Sequence, residues 1–174
     1  RAKPASPSPR PAAARCSGCT SVMARSVPTP TRWAATSPPS AGPAVIVPPT
    51  WIGENNSTAI EASIAYPGRF RTMGRFDPER PDYLDALSTW RTQPDMLGIR
   101  MTFRVPPYDQ WLVSDQIDHF WGACERFGIP VMCLVPGEAE KLEPIAQRLP
   151  DLSLIVDHMA CDLAAKGDAA FANN

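Results

Sequence analysis

The stretch IPVMCLVPGEAEKLEPIAQRLPDLSLIVDHMA, residues 129–160, decides the fold class. Two short apolar runs, Val131–Val135 and Leu152–Val156, flank a segment with helical spacing. Neither run alternates with polar residues, which is the pattern of strands buried on both faces of a parallel sheet. Between them Leu142, Ile145, Ala146 and Leu149 fall at i, i+3, i+4 and i+7, one face of a helix. Pro150 stops that helix. The unit reads as βαβ, and its second strand runs into Asp157 and His158. Ligands of parallel α/β folds collect at the carboxyl ends of strands, so His158 is a candidate catalytic residue by position.

Upstream the same alternation repeats. Ala44–Val47, Arg69–Phe76 and Met96–Phe103 read as three further strands. Thr58 and Glu61 have capping-box spacing for a helix whose apolar face holds Ile60 and Ile64. Pro81 opens a helix that buries Tyr83, Leu84, Leu87 and Trp90. Ser114 caps a helix through Phe127, with Ile117, Phe120, Trp121 and Cys124 inward and Gly128 as its stop. A last helix is predicted from Asp162 towards Phe171. Strands alternating with helices over short linkers indicate an α/β fold with a parallel sheet. The five strands fit either an open, flavodoxin-like sheet or part of a (β/α)₈ barrel.

Before Ala44 the chain changes character. The first 50 of the 174 residues contain six basic residues and no acid, so all 18 acids lie in the remainder. Residues 1–43 are rich in Pro, Ala, Ser and Arg and poor in large apolar residues, so they cannot offset their own ordering entropy. They are expected to be a disordered or non-native basic segment, the latter if a shifted reading frame produced them. Residues 44–174 are expected to form the folded domain. A net charge of −1 and sparse, non-aromatic basic residues argue against nucleic acid. No apolar run is long enough to span a membrane, and the N-terminus lacks an apolar leader core. Five irregularly spaced cysteines suit a reducing cytoplasm, and Cys16-x-x-Cys19 lacks the second pair a metal knuckle needs.

The phrases AVIVPP, AYPGRFRTMGRFDP, MLGIRMTF, FGIPVMCLVPG and LPDLSLIVDHMA, in this order, resemble the amidohydrolase-related family of metal-dependent hydrolases over residues 44–172. The resemblance implies a partial (β/α)₈ barrel, with the five strands as its second to sixth. A whole barrel takes ~250 residues. The family's first strand carries two histidines one residue apart, and no histidine precedes Ala44. Some members carry a histidine at the end of the fifth strand, where Cys133-Leu134-Val135 has none. The resemblance therefore implies an internal fragment. Its parent would hydrolyse a small carboxylated, lactone-like or amide-like compound, and this chain would be inactive by itself. A decarboxylase of the same family and a non-enzymatic half-barrel assembly, as a homo-oligomer, are the alternatives.

Family chemistry rests on a divalent ion such as zinc, which activates water and polarises a carbonyl. Some lactone hydrolases of the family instead use histidines and an arginine directly. No metal is expected in this chain alone, and His158 would be a ligand only if the other ligands were supplied. The resemblance places His158 against the reacting group; a histidine bonded to a neighbouring loop is the plainer reading. Asp157 either orients that ring, pairs with another strand, or caps the next turn. Arg100 has the geometry to clamp a substrate carboxylate, or to pair with a strand-end acid. Trp51, Asn55 and Asn56 sit in the loop after the first strand, where they line a pocket or serve the turn. His119 is placed on a helix surface, and Cys124, Cys133 and Cys161 are expected as core fillers.

Overall fold

The computed structural model describes residues 42–162 and 164–171. Nearly all of the segment predicted to be disordered or non-native, residues 1–43, lies outside the described residues. Five strands form one sheet: β1 (Ala44–Ile46), β2 (Phe70–Gly74), β3 (Met96–Thr102), β4 (Val131–Leu134) and β5 (Leu154–Val156). Four α-helices connect them: α1 (Ser57–Ala65), α2 (Tyr83–Ser88), α3 (Asp118–Phe127) and α4 (Glu143–Arg148). Every neighbouring pair is parallel, and the spatial order is β1-β2-β3-β4-β5. A flavodoxin-like sheet reverses its strand order at a switch point, whereas a barrel keeps sequential order. The flavodoxin-like alternative is thereby overturned, and the fold is α/β, a partial (β/α)₈ barrel.

The core lies between the central strands and α3. Ile99, Phe103, Val131, Cys133 and Val135 from the sheet side meet Ile117, Phe120, Trp121 and Cys124. The chain comes closest between β3 and β4 at Gly98. A Cβ there would lie 2.3 Å from the Pro130 carbonyl oxygen, so only glycine permits the strands to meet. Gly128 closes α3 in the left-handed conformation, as its position predicted.

Several local expectations fail for identifiable reasons. Val156 is 42% exposed and Val45 is 50% exposed, because β5 and β1 are edge strands with one neighbour each. The apolar run of β5 is thus not buried on both faces. Leu142, in the 3₁₀ turn Ala139–Leu142 just before α4, and Ile145 within α4 are buried but Ala146 is exposed, so the inward face is narrower than the spacing implied. Ile64 and Leu84 are likewise exposed. The Thr58–Glu61 box does not form: the cap is Asn56, two residues earlier, and the Asn55 side chain accepts the Ser57 amide. Residues Tyr108–Leu112 take a 3₁₀ turn, which delays α3 to Asp118. Beyond β5 a 3₁₀ turn, Gly167–Phe171, replaces the expected start at Asp162.

Candidate active site

Two strands deliver three arginines to one cavity of about 530 Å³ at their carboxyl ends. Arg100 lies within β3, Arg75 follows β2, and Arg104 follows β3. Glu54, Asp77, Glu79, Tyr108 and Trp111 also line it. Charged side chains in otherwise apolar strands are costly to bury unless paired. Arg100, only 8% exposed, meets this requirement across the sheet: its Nη2 donates to Asp157 Oδ2 at 2.6 Å. The pair reaches over β4 from the third strand to the end of the fifth. Its Nε is buried with no hydrogen-bond partner among the described residues.

Arg75 is held differently. Its Nη1 donates to Thr102 Oγ1 at 3.1 Å, and its Nε is also buried and unpartnered among the described residues. Its backbone is strapped by Asn56, whose Nδ2 donates to the Arg75 carbonyl at 2.9 Å and whose Oδ1 accepts the Arg75 amide at 2.8 Å. Burial lowers the Arg75 guanidinium from its ordinary value; Glu54 opposes that shift and Arg100 adds to it. Surrounding protein in turn raises the Glu54 carboxyl, against the pull of Arg75. The cavity thus carries charge of both signs, with Arg75, Arg100 and Arg104 set among Glu54, Asp77 and Glu79.

The sequence-predicted residues divide clearly. Arg100 and Asp157 are brought together, in the ion-pair arrangement anticipated for a strand-end acid. His158 stands beside them, but its side chain is 61% exposed, its Nε2 is 3.6 Å from Asp157 Oδ1, and it does not line the cavity. The backbone explains the outward ring. His158, Met159 and Ala160 all have positive φ, at 51°, 54° and 48°, a left-handed turn that L-residues adopt only under strain. The Gly137 amide donates to the Ala160 carbonyl at 2.7 Å and ties the turn down. Trp51 is 84% exposed on the turn Thr50–Ile52 and lies outside the cavity. Asn56 acts on Arg75 through the backbone rather than facing the cavity. His119 bonds the Pro78 carbonyl at 2.9 Å and packs its ring on Tyr83, away from the cavity.

Sequence reasoning passed over Arg75, Arg104, Glu54 and the cavity-facing roles of Tyr108 and Trp111. The signal for Arg75 was present: GRF, like GIR, puts an arginine at the end of an apolar run. Trp111 is 4% exposed and its indole nitrogen is buried without a partner among the described residues.

Residues 29–166 match the profile of a protein family described as Amidohydrolase. No curated protein matches the chain. Among solved structures, one from Acinetobacter baumannii, named a probable 2-pyrone-4,6-dicarboxylic acid hydrolase and holding citric acid, is 20% identical with a TM-score of 0.51. It is aligned over 67% of this chain and 42% of its own. Another, from Pseudomonas putida and provisionally given the same hydrolase name, is 19% identical with a TM-score of 0.55, over 75% of this chain and 47% of its own. These likenesses concern the fold, and this chain spans less than half the length of either structure.

The metal that the family generally uses does not fit the residues described here. Asp157 is committed to Arg100, and a guanidinium at the cavity floor repels a divalent cation. Burial pushes the Cys133 thiol up to about 12, with Arg100 opposing, and the thiol is fully buried within β4. Among the described residues no group of three or more His, Cys, Asp or Glu side chains is placed to hold an ion.

Proposed function

The chain belongs to the amidohydrolase family, and from that premise we propose that its cavity is the acid-binding part of a hydrolase site for a small carboxylated lactone or amide. The observation that carries this reading is Arg100: nearly buried, fixed by Asp157, and lining a cavity with two further arginines. Fixed cations of this kind neutralise a carboxylate or the oxyanion that forms when water adds to a carbonyl. Asp157 keeps the guanidinium oriented and leaves part of its donor fork for the ligand. His158, beside Asp157, stands outside the cavity lining; with its ring turned inward it takes the proton from attacking water and returns it to the leaving oxygen or nitrogen. Decarboxylation is the weaker reading, because arginines that stabilise a carboxylate also stabilise the ground state that must lose CO₂. Among the described residues no helix is long and apolar enough to cross a membrane.

Coumalate, a pyrone lactone with one carboxylate, tests the reading. Calorimetry should show binding to the chain that weakens about tenfold or more in Arg100→Gln, the loss of one charge-assisted contact. In a protein carrying the whole constellation, ring opening followed by ultraviolet absorbance should slow in His158→Ala. Coumalate affinity unchanged by Arg100→Gln would remove the proposal.

A further inference from the structure

Trp51 is 84% exposed, more than any other large apolar side chain among the described residues. The other described tryptophans, Trp90, Trp111 and Trp121, are at most 5% exposed. An indole carries a large apolar area, so a ring left in water forfeits most of its burial energy. Its chain neighbours nevertheless belong to the cavity. Thr50, Gly53 and Glu54 line the wall, and Trp51 stands in the same turn between them. Adjacent Cα atoms are ~3.8 Å apart, so the Trp51 backbone is one step from that wall.

The turn is pinned at its ends and loose between them. Pro48 is buried on the upstream side. Downstream, the Asn55 side chain accepts the Ser57 amide, and Asn56 bonds both backbone atoms of Arg75. Inside the span the bonds are local: the Ile52 amide donates to the Pro49 carbonyl at 3.3 Å, and the Gly53 amide to the Thr50 carbonyl at 3.1 Å. Gly53 has φ 63° and ψ −141°, a combination open mainly to glycine, and a Cβ there would meet nothing within 4 Å. The cavity end of the turn therefore has both the backbone freedom and the room to change direction. On the wall, Tyr108 packs edge to face on Trp111 at 5.0 Å, which already offers aromatic surface to a flat ligand.

We propose that Trp51 is a specificity-determining residue of this cavity: on binding, the turn Thr50–Ile52 folds over the mouth and lays the indole on the face of a flat ring acid. The inference rests on the carboxylate-binding reading of Arg100, which holds the acid group, and assigns the ring face to Trp51. Closure recovers the apolar burial that the open turn leaves unused and keeps water from the ligand's face.

Benzoate and cyclohexanecarboxylate, alike in charge and ring size but flat and puckered respectively, test this by calorimetry. Trp51→Ala should weaken benzoate about fivefold, the yield of one aromatic stacking contact, and change cyclohexanecarboxylate by about twofold or less. Trp51→Phe, which keeps a flat ring, should hold benzoate within about twofold of wild type. Because the side chain is exposed, neither substitution removes packing from the core. Acrylamide quenching of tryptophan emission supplies the second readout, and the difference between wild type and Trp51→Phe isolates the Trp51 signal. Saturating benzoate should cut the quenching of that signal about twofold or more. Equal effects of Trp51→Ala on the two acids, or a Trp51 signal that benzoate leaves as accessible as before, overturn the inference while benzoate binding keeps the Arg100 reading standing. Failure of both acids to bind the wild-type chain overturns both.

Discussion

Strands β4 and β5 come from the same stretch of sequence and have nearly the same composition, yet they end in different surroundings. In β4, Val131 and Cys133 are fully buried between β3 and β5, while in β5 Ile155 and Val156 are about two-fifths exposed. What separates them is the number of neighbours, a property no local pattern encodes. The functional groups follow the same division. At the centre Arg100 is buried and ion-paired and Arg75 is half-buried and bonded to Thr102, and both line one cavity; the histidine at the edge is exposed and held in a strained turn. Residue type and position at a strand end were enough to nominate Arg100 and His158, but surrounding structure decides which of them is fixed in place.

The sharpest way to break this contrast is to truncate one apolar side chain in each place. Phe103, fully buried where β3 meets the cavity, should cost about 3–5 kcal/mol as Phe103→Ala. Val156→Ala on β5 should cost under about 1 kcal/mol, because most of its transfer energy is never gained. Urea denaturation of both variants checks this. Equal losses would mean that β5 is covered in solution and that the edge is not an edge.

The fold was legible because its signals are periodic. Alternating apolar runs and helical faces survive any uncertainty about partners, so five parallel strands followed from spacing and the βαβ rule, while their sequential order came only with the sheet itself. Positions such as Ile64, Leu84 and Ala146 were misjudged because an apolar residue at helical spacing says nothing about whether a second layer lies outside it. The site was legible only in part. Arg100 and Asp157 were each nominated, and their union across β4 required register. Arg75 went unnoticed because its role depends on Asn56, nineteen positions away, and on Thr102, twenty-seven away.

The centre should also announce itself in alkali. A thiol in the unfolded chain loses its proton near pH 8.5. Burial holds Cys133 to about 12 and Cys124 higher still, so between these values the folded state binds more protons than the unfolded one. Stability is therefore complete below about pH 8.5 and falls as pH rises, by about 1.4 kcal/mol per pH unit for each thiol. Comparing chemical denaturation of the wild type and Cys133→Ala from pH 8 to 11 isolates one of the two contributions. The variant should lose stability with a slope smaller by that amount. Identical slopes would mean that water reaches β4.

The edge offers the smallest effect and the opposite sign. Met159 sits at φ 54° and ψ 30°, the middle of three left-handed residues, and is 69% exposed. For an L-residue this conformation costs roughly 1–2 kcal/mol, and glycine escapes most of that cost while gaining freedom in the unfolded chain. The contacts of the Met159 side chain also count against the exchange. Met159→Gly should therefore raise stability by only about 0.5–1 kcal/mol, seen as a small upward shift in urea midpoint at constant slope. The same substitution at Met73, in the middle of β2 and 2% exposed, should instead be strongly destabilising, because there it removes packing and relieves nothing. If Met159→Gly destabilises, the turn after β5 is not strained but secured by that side chain. His158 would then be as firmly placed as the arginines at the centre.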